Sequence, residues 1–188
     1  MGLAKQQHFY RTEQDWDTIY QHLKQTPCPH CQTVGMLFGH GFLRGYDDTS
    51  PRRKTVRARR ILCSNRKARH GCGKTFSVWL VDKIRRLSLT TGGLWNFLQH
   101  AVSGSVLGAM DTVKNFLSVR TWQRIWQRFR LAQSDIRTAL SGWCPPPPLP
   151  AQTSQRPETQ VIAHLQAAFP DADCPIAAFQ QATHTFFL

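Results

Sequence analysis

The sequence predicts an α+β chain: a small β unit framed by two cysteine pairs, then an all-α region, with a helix before them and a helical tail after. Three observations carry this. Four cysteines fall in pairs, Cys28 with Cys31 and Cys63 with Cys72. Around those pairs, short apolar–polar alternations are broken by Gly and Pro, as in a run of short strands. From residue 81 onward, apolar residues recur at helical spacing instead. The expected segments are an N-terminal helix (1–26), the β unit (27–80), a helical region (81–143), a Pro-rich linker (144–160) and a C-terminal helical tail (161–188).

The first helix is predicted over residues 12–24. Trp16, Ile19, Tyr20 and Leu23 form its apolar stripe, a packing face. Thr12 suits the N-cap, and Asp15 lies three residues on, beside the positive end of the helix dipole. Thr26-Pro27 ends the helix, because the residue before a proline avoids the helical region.

Three β-like pieces follow, at 35–46, 55–62 and 75–80. In the second, Val56, Ala58 and Leu62 share one parity, and Thr55, Arg57 and Arg59 share the other. Successive strand residues face opposite ways, so that pattern packs one face and offers guanidinium groups on the other. In the third, Phe76, Val78 and Leu80 form one face. The Asp47-Asp48-Thr49-Ser50-Pro51 stretch between strands has turn composition.

Residues 94–102, 106–116 and 119–140 are the expected helices of the next region, with Thr90-Thr91-Gly92-Gly93 before the first and Ser103-Gly104-Ser105 as the break after it. Ser118 caps the last. On it, Trp122, Ile125, Trp126, Phe129, Ala132, Ile136 and Leu140 lie on one side, and Arg120, Gln123, Arg124, Gln127, Arg130 and Arg137 on the other. Three helices with short breaks, the last one basic, fit a helix-turn-helix plan. An ordinary bundle with a basic outer face fits the same pattern. Pro145 to Pro148 with Pro150 make a stiff run, and residues 152–160 are polar and read as flexible. Pro157 then suits the first turn of a short helix with Val161, Ile162, Leu165 and Phe169 as its stripe. The chain ends Phe186-Phe187-Leu188, which either docks on its own domain or serves as a partner-binding tail.

Charge narrows the function. The 188 residues hold 24 Lys and Arg against 11 Asp and Glu, a net charge of +13. Fourteen of those cations, and only Asp47, Asp48 and Asp82 among the acids, lie between Arg44 and Arg86, which gives that segment a net +11. Ordinary solvated surfaces mix the two signs; between Asp48 and Asp82 there is no acid at all, the electrostatic footprint of phosphate binding. No apolar run approaches the ~18 residues of a membrane span, and the first residues lack the apolar core of a secretion signal. The expectation is a cytoplasmic, nucleoid-associated protein.

Cys28-Pro29-His30-Cys31 places two thiolates in one tight turn, within reach of a single tetrahedral zinc. Cys63 and Cys72, eight residues apart, supply the second pair. Each turn precedes a β-like piece, the layout of a zinc ribbon. Gly71 and Gly73 flank Cys72 and leave backbone amides free to approach sulfur. The spacing leaves competitors open: His70 in place of Cys63 or Cys72, and His30 or His40 besides. A disulfide framework lacks an export signal, and a redox pair lacks the βαβ context it needs. Cys144 and Cys174 lie outside the turns and read as free thiols.

Cys28-Pro29-His30-Cys31, Arg59-Arg60-Ile61-Leu62-Cys63 and Cys72-Gly73-Lys74-Thr75-Phe76 together resemble the zinc ribbon of insertion-sequence, transposase-associated proteins, in which a helix-turn-helix follows. The Cys63-Ser64-Asn65 and Cys72-Gly73 stretches are also similar to phage late-gene activators of the Ogr/delta type. The likeness covers about residues 27–80, and more loosely the helices to about 140. It differs in the longer second gap, in Gln32 where glycine often follows the first pair, and in the proline linker and tail. The resemblance implies a structural Zn²⁺ on Cys28, Cys31, Cys63 and Cys72, and DNA as the target, with Arg120, Thr121 and Arg124 at the start of the reading helix. Independently of it, Arg57, Arg59 and Arg60 on a strand, with Arg52 and Arg53 in the same basic stretch, suit phosphate contact.

No catalytic constellation is visible. A three-carboxylate transposase centre needs acids gathered around two metals, whereas the helical region has only Asp82, Asp111 and Asp135. A His-x-His relaxase pair and a Gly-rich phosphate loop are lacking, and only His30, Asn65 and His70 approach a ββα-metal nuclease set. The sequence therefore predicts a non-enzymatic, zinc-dependent DNA-binding protein: a transposition accessory factor or a transcription regulator of a mobile element. Its partners would be DNA with a transposase or RNA polymerase, and no membrane or small-molecule substrate. The alternative is a non-catalytic adaptor that holds RNA or DNA nonspecifically and docks a partner enzyme through its C-terminal tail.

Overall fold

The computed structural model of the protein describes residues 9–66, 69–113, 116–148 and 156–188. Among these lie a four-stranded mixed sheet and six helices. The flexible reading of 152–160 falls, up to residue 155, outside the described residues.

The sheet runs in the order β1 (Phe9–Tyr10), β4 (Thr75–Leu80), β3 (Thr55–Cys63), β2 (Leu37–Gly45). β2–β3–β4 is an antiparallel meander. β1 adds in parallel, Phe9 opposite Trp79 and Tyr10 opposite Leu80. Two residues give no period to read, so β1 was invisible in the sequence. α1 (Glu13–His22) follows it, opened by a capping box: Asp15 N–H donates to Thr12 Oγ1, and the Asp15 carboxylate accepts from the Thr12 amide. Trp16 and Leu23 of its stripe are buried against Tyr10, Leu37, Ile61, Cys63 and Val78, and Ile19 packs beside them. Tyr20, expected on the same packing face, is instead 53% exposed and tilts against Trp16 at 5.9 Å.

The expected alternation of β3 is corrected here. Buried positions are Arg57, Ala58, Ile61 and Cys63, so both faces of this central strand are covered. The parity assigned to outward guanidiniums carries Ile61 and Cys63 and faces the α1 core. On β2, two residues oppose one between Gly39 and Phe42, a bulge built on Gly41 at φ 96°, where an L side chain is strained.

The helical region forms a second core. α2 (Thr91–Ser103) is capped by Thr90, α3 (Val106–Thr112) by Ser105, and α4 (Val119–Leu140) by Ser118, the residue expected. α3 ends before the predicted limit of 116. Phe97 of α2 stacks on Trp122 of α4, with ring centroids 4.2 Å apart. Each such buried ring contributes roughly 1.5–3 kcal/mol of burial free energy. α5 (Pro157–Ala168) begins at Pro157 as expected, and α6 (Pro175–Thr183) was not foreseen. Both helices and Phe187 lie in the same core as α2 and α4. The C-terminal segment is thus part of the helical core, and its tail is docked.

The two cores meet through the Asp47–Pro51 stretch and the C-terminus. Asp47 is fully buried, accepts from Thr49, Ser50 and Thr55, and pairs with Lys83 Nζ at 2.7 Å. Asp48 accepts from the Thr90 amide and hydroxyl at 2.8 Å each, at the start of α2. Gln180 of α6 donates to the Val81 carbonyl at 2.8 Å, and Phe186 packs edge-on against Phe9 and Trp79 of the sheet. A stretch with turn composition serves as the junction.

Candidate metal centre and nucleic-acid interface

The two cysteine turns are closed by backbone bonds. In the first, Gln32 N–H donates to the Cys28 carbonyl at 2.8 Å, and Cys28 N–H to the Thr33 carbonyl at 3.0 Å. Gln32 takes φ 60°, the left-handed conformation that glycine adopts more easily, so the departure from the ribbon pattern keeps its backbone shape. The second turn spans the eight-residue gap but closes tightly: Gly71 N–H reaches the Ser64 carbonyl at 3.1 Å, Gly73 N–H the Cys63 carbonyl at 2.8 Å. A Cβ on Gly71 would lie 2.4 Å from Ser64 O and 2.7 Å from Cys63 Sγ. Gly73 sits at φ 74°. These two glycines let the Cys72 amide approach the Cys63 sulfur, at 3.3 Å, as His30 N–H approaches Cys28 Sγ at 3.4 Å.

Cys28, Cys31, Cys63 and Cys72 converge. Their sulfurs all lie within 4.8 Å of one another, with Cys28–Cys72 at 3.8 Å and Cys31–Cys63 at 3.7 Å. A tetrahedron with metal–sulfur bonds of ~2.3 Å has edges of ~3.8 Å, so the spacing fits a single ion held by four thiolates. His30, His40 and His70 are exposed and outside this group. Burial pushes the Cys63 thiol up to about 12 and raises Cys28, while bonds from Thr33 lower the exposed Cys31 to about 6. Two buried thiols that resist ionisation need a cation beside them to become thiolates. Cys144 and Cys174 lie outside the cluster, and neither forms a disulfide.

The expected DNA contacts divide. Arg52 and Arg53 are exposed on the loop before β3. Arg60 is half-buried and donates to Thr75 Oγ1 at 3.3 Å. Arg59 is held by Glu13 and lies over Trp16, its guanidinium 4.8 Å from the ring centroid. Arg57 is not on a phosphate-facing surface: its guanidinium donates to the carbonyls of Tyr46, Ile84 and Leu87 at 2.5–2.7 Å, tying β3 to the loop before α2. Carbonyl acceptors 27 and 30 residues downstream leave no trace in a strand's alternation.

On α4, Arg120 and Arg124 are exposed. They line a cleft of about 510 Å³ against Val106 and Leu107 of α3, with Gln123, Gln127 and Arg130 beside them. Thr121 is drawn into the cap, its amide donating to Ser118 Oγ at 3.3 Å. The polar stripe of α4 carries the sequence signal for Gln123, Gln127 and Arg130. Arg130 pairs with Glu158 at 3.0 Å; Arg120 and Arg124 have no such acid in the cleft. No described helix is long and apolar enough to cross a membrane.

In comparisons with known proteins, no family model, no curated protein and no solved structure matches this chain. The likeness to insertion-sequence ribbons rests on the cysteine-turn motifs themselves.

Proposed function

We propose that this chain is a zinc-dependent DNA-binding protein, acting as a transposition accessory factor or a transcription regulator of a mobile element. The observation that carries the reading is the four-sulfur cluster set at the end of an arginine-rich, nearly acid-free sheet. An all-thiolate tetrahedral set selects zinc or an iron–sulfur centre, and edges of 3.7 and 3.8 Å suit a single zinc ion. Zinc would supply no chemistry here beyond charge and cross-linking: Cys28 and Cys31 would be joined to Cys63 and Cys72, fixing the strand ends between which the basic loop and strand are strung.

The phosphate-contact set is Arg52, Arg53 and Arg60, with Arg120 and Arg124 on α4 placed to contact base edges. A guanidinium offers guanine two parallel donors, which gives sequence preference. Arg57 drops out of the set, and Arg59 and Thr121 take supporting roles. Phe186 and Phe187 are packed against Phe9, Trp79, Phe129 and Phe179, so an adaptor would have to dock its partner through other residues of the 161–188 tail.

A gel-shift salt series with duplex DNA tests this. Neutralising three phosphates predicts an affinity loss of ~40-fold between ~50 and ~200 mM salt, from a slope of about −0.9 per contact. Replacing Arg52 and Arg53 by Ala should flatten that slope for all sequences, whereas Arg124→Ala should relax base preference. Affinity insensitive to salt contradicts the proposal.

A further inference from the structure

β2 is the outer edge of the sheet, shielded from strand pairing by the bulge at Gly41 and by Arg44. It carries Phe42, 49% exposed, and leads into Tyr46, 43% exposed. Singly exposed rings are ordinary on a protein surface; what sets these apart is their neighbours.

Each ring stands beside a cation. The Arg44 and Arg59 guanidiniums lie 5.8 and 5.1 Å from the Phe42 centroid, and Lys54 Nζ lies 5.9 Å from the Tyr46 centroid. Near the start of the strand, Arg69 lies 4.0 Å from the Phe38 centroid. From residue 18 to residue 46 the chain contains no Asp or Glu. Gly41, just before Phe42, is exposed, and a Cβ there would meet nothing within 4 Å, so the backbone beside that ring is open to close approach.

Rings interleaved with cations suit a partner that has flat apolar faces on an anionic backbone; the one acid paired with these cations, Glu13, is engaged by Arg59 and leaves Arg44 and Lys54 to meet such a backbone. Unpaired nucleobases are that partner: every base has a π-face, and stacking on aromatic side chains tolerates any sequence. Phe42 and Tyr46 are four residues apart, roughly 13 Å along an extended strand. A paired base hides its faces inside the duplex stack, so this edge has nothing to stack on in intact duplex DNA.

We propose that the β2 edge is a stacking platform for single-stranded nucleic acid, with Phe42 and Tyr46 receiving bases and Arg44 and Lys54 meeting the adjoining phosphates. The inference rests on the reading that the basic surface binds nucleic acid, and deepens it by naming an unpaired strand as one of its targets. A protein working at the ends or opened sites of a DNA element would meet such strands beside a duplex.

Fluorescence anisotropy with the zinc-loaded full chain tests it, using three labelled probes: short oligothymidylate, an abasic strand of equal length, and a duplex. Oligothymidylate should bind about tenfold more tightly than the abasic strand. The pair Phe42→Leu and Tyr46→Leu should cost oligothymidylate at least about fivefold and leave the duplex within about twofold. Both rings are half-exposed, and thermal melting checks that the variants fold. Equal affinity for oligothymidylate and the abasic strand overturns the platform, as does an equal loss on all probes in the variants. A dimer that the variants dissociate also overturns it, because the edge would then serve a second copy of this chain. In each of those cases duplex binding leaves the proposed function standing. Failure of every probe to bind sinks both.

Discussion

Arg57 and its neighbours on β3 look alike in sequence, but its guanidinium is enclosed by three carbonyls. A buried guanidinium that satisfies three acceptors holds structure; its removal leaves those acceptors dry, at about 1–3 kcal/mol each where water cannot replace the donor. Arg57→Met, which keeps most of the side-chain volume, should lower stability by about 3 kcal/mol in urea unfolding with zinc present. Duplex affinity of the folded protein should stay within about twofold. Unchanged stability with lost DNA affinity would return Arg57 to the phosphate-contact set. The contrast marks a limit of alternation as a signal. It presumes that one strand face is wet, which fails for β3, with strands on both sides and α1 and Phe186 packed on the sheet. Cys28, Cys31, Cys63 and Cys72 were legible because their signal is chemical identity at fixed spacing, independent of which face is covered.

At the scale of elements, boundaries set by local chemistry were readable. Thr12 and Ser118 cap the helices expected of them, and β4 spans the predicted 75–80. β1 and α6 were missed because their existence depends on what they pack against: β1 on β4, and α6 on α2 and α5. The Asp47–Pro51 stretch shows the same dependence. Burial alone would raise the Asp47 carboxyl, but bonds from Lys83, Thr49 and Thr55 outweigh it and hold the group well below the usual carboxylate range. Lys83, which burial alone would lower, is raised by Asp47 and Asp82. The signs set a pH window. Asp47's contribution is fully present above the unfolded carboxylate value of ~3.9 and is lost as pH falls through the depressed folded value. The contribution of Lys83 is present below ~10.4 and lost as pH rises through its raised value. Asp47→Asn breaks a buried pair and should cost about 3 kcal/mol near neutrality. The difference from wild type should hold near neutrality, shrink in strong acid below ~3.9, and shrink again in alkali as pH rises through the raised Lys83 value. Urea unfolding of both proteins across pH, compared pairwise so that acid loss of metal cancels, checks this. A difference that does not vary with pH would mean the carboxylate is not the ionised anchor described.

Across the whole molecule, the sheet core and the helical core are held together by the C-terminal residues. Phe187 lies against Phe129 and Phe179 in the helical core, and Phe186 against Phe9 and Trp79 of the sheet. Phe187→Ala should therefore destabilise by about 3–5 kcal/mol, as a buried aromatic truncation does. Thermal melting should show the loss in the tertiary signal of the helical core. A variant as stable as wild type would mean that the terminus is peripheral and its apolar residues are available to a partner.

A metal on the four sulfurs would link these scales, because the sheet core is small and its strand ends converge there. In metal sites of this kind the free energy of binding is also free energy of folding. X-ray absorption at the zinc edge on purified protein, combined with elemental analysis, is the most direct measurement. One zinc per chain surrounded by four sulfurs at ~2.3 Å is the predicted result. A metal-free protein whose β unit stays folded, or a zinc bound through histidine nitrogen, would contradict the account.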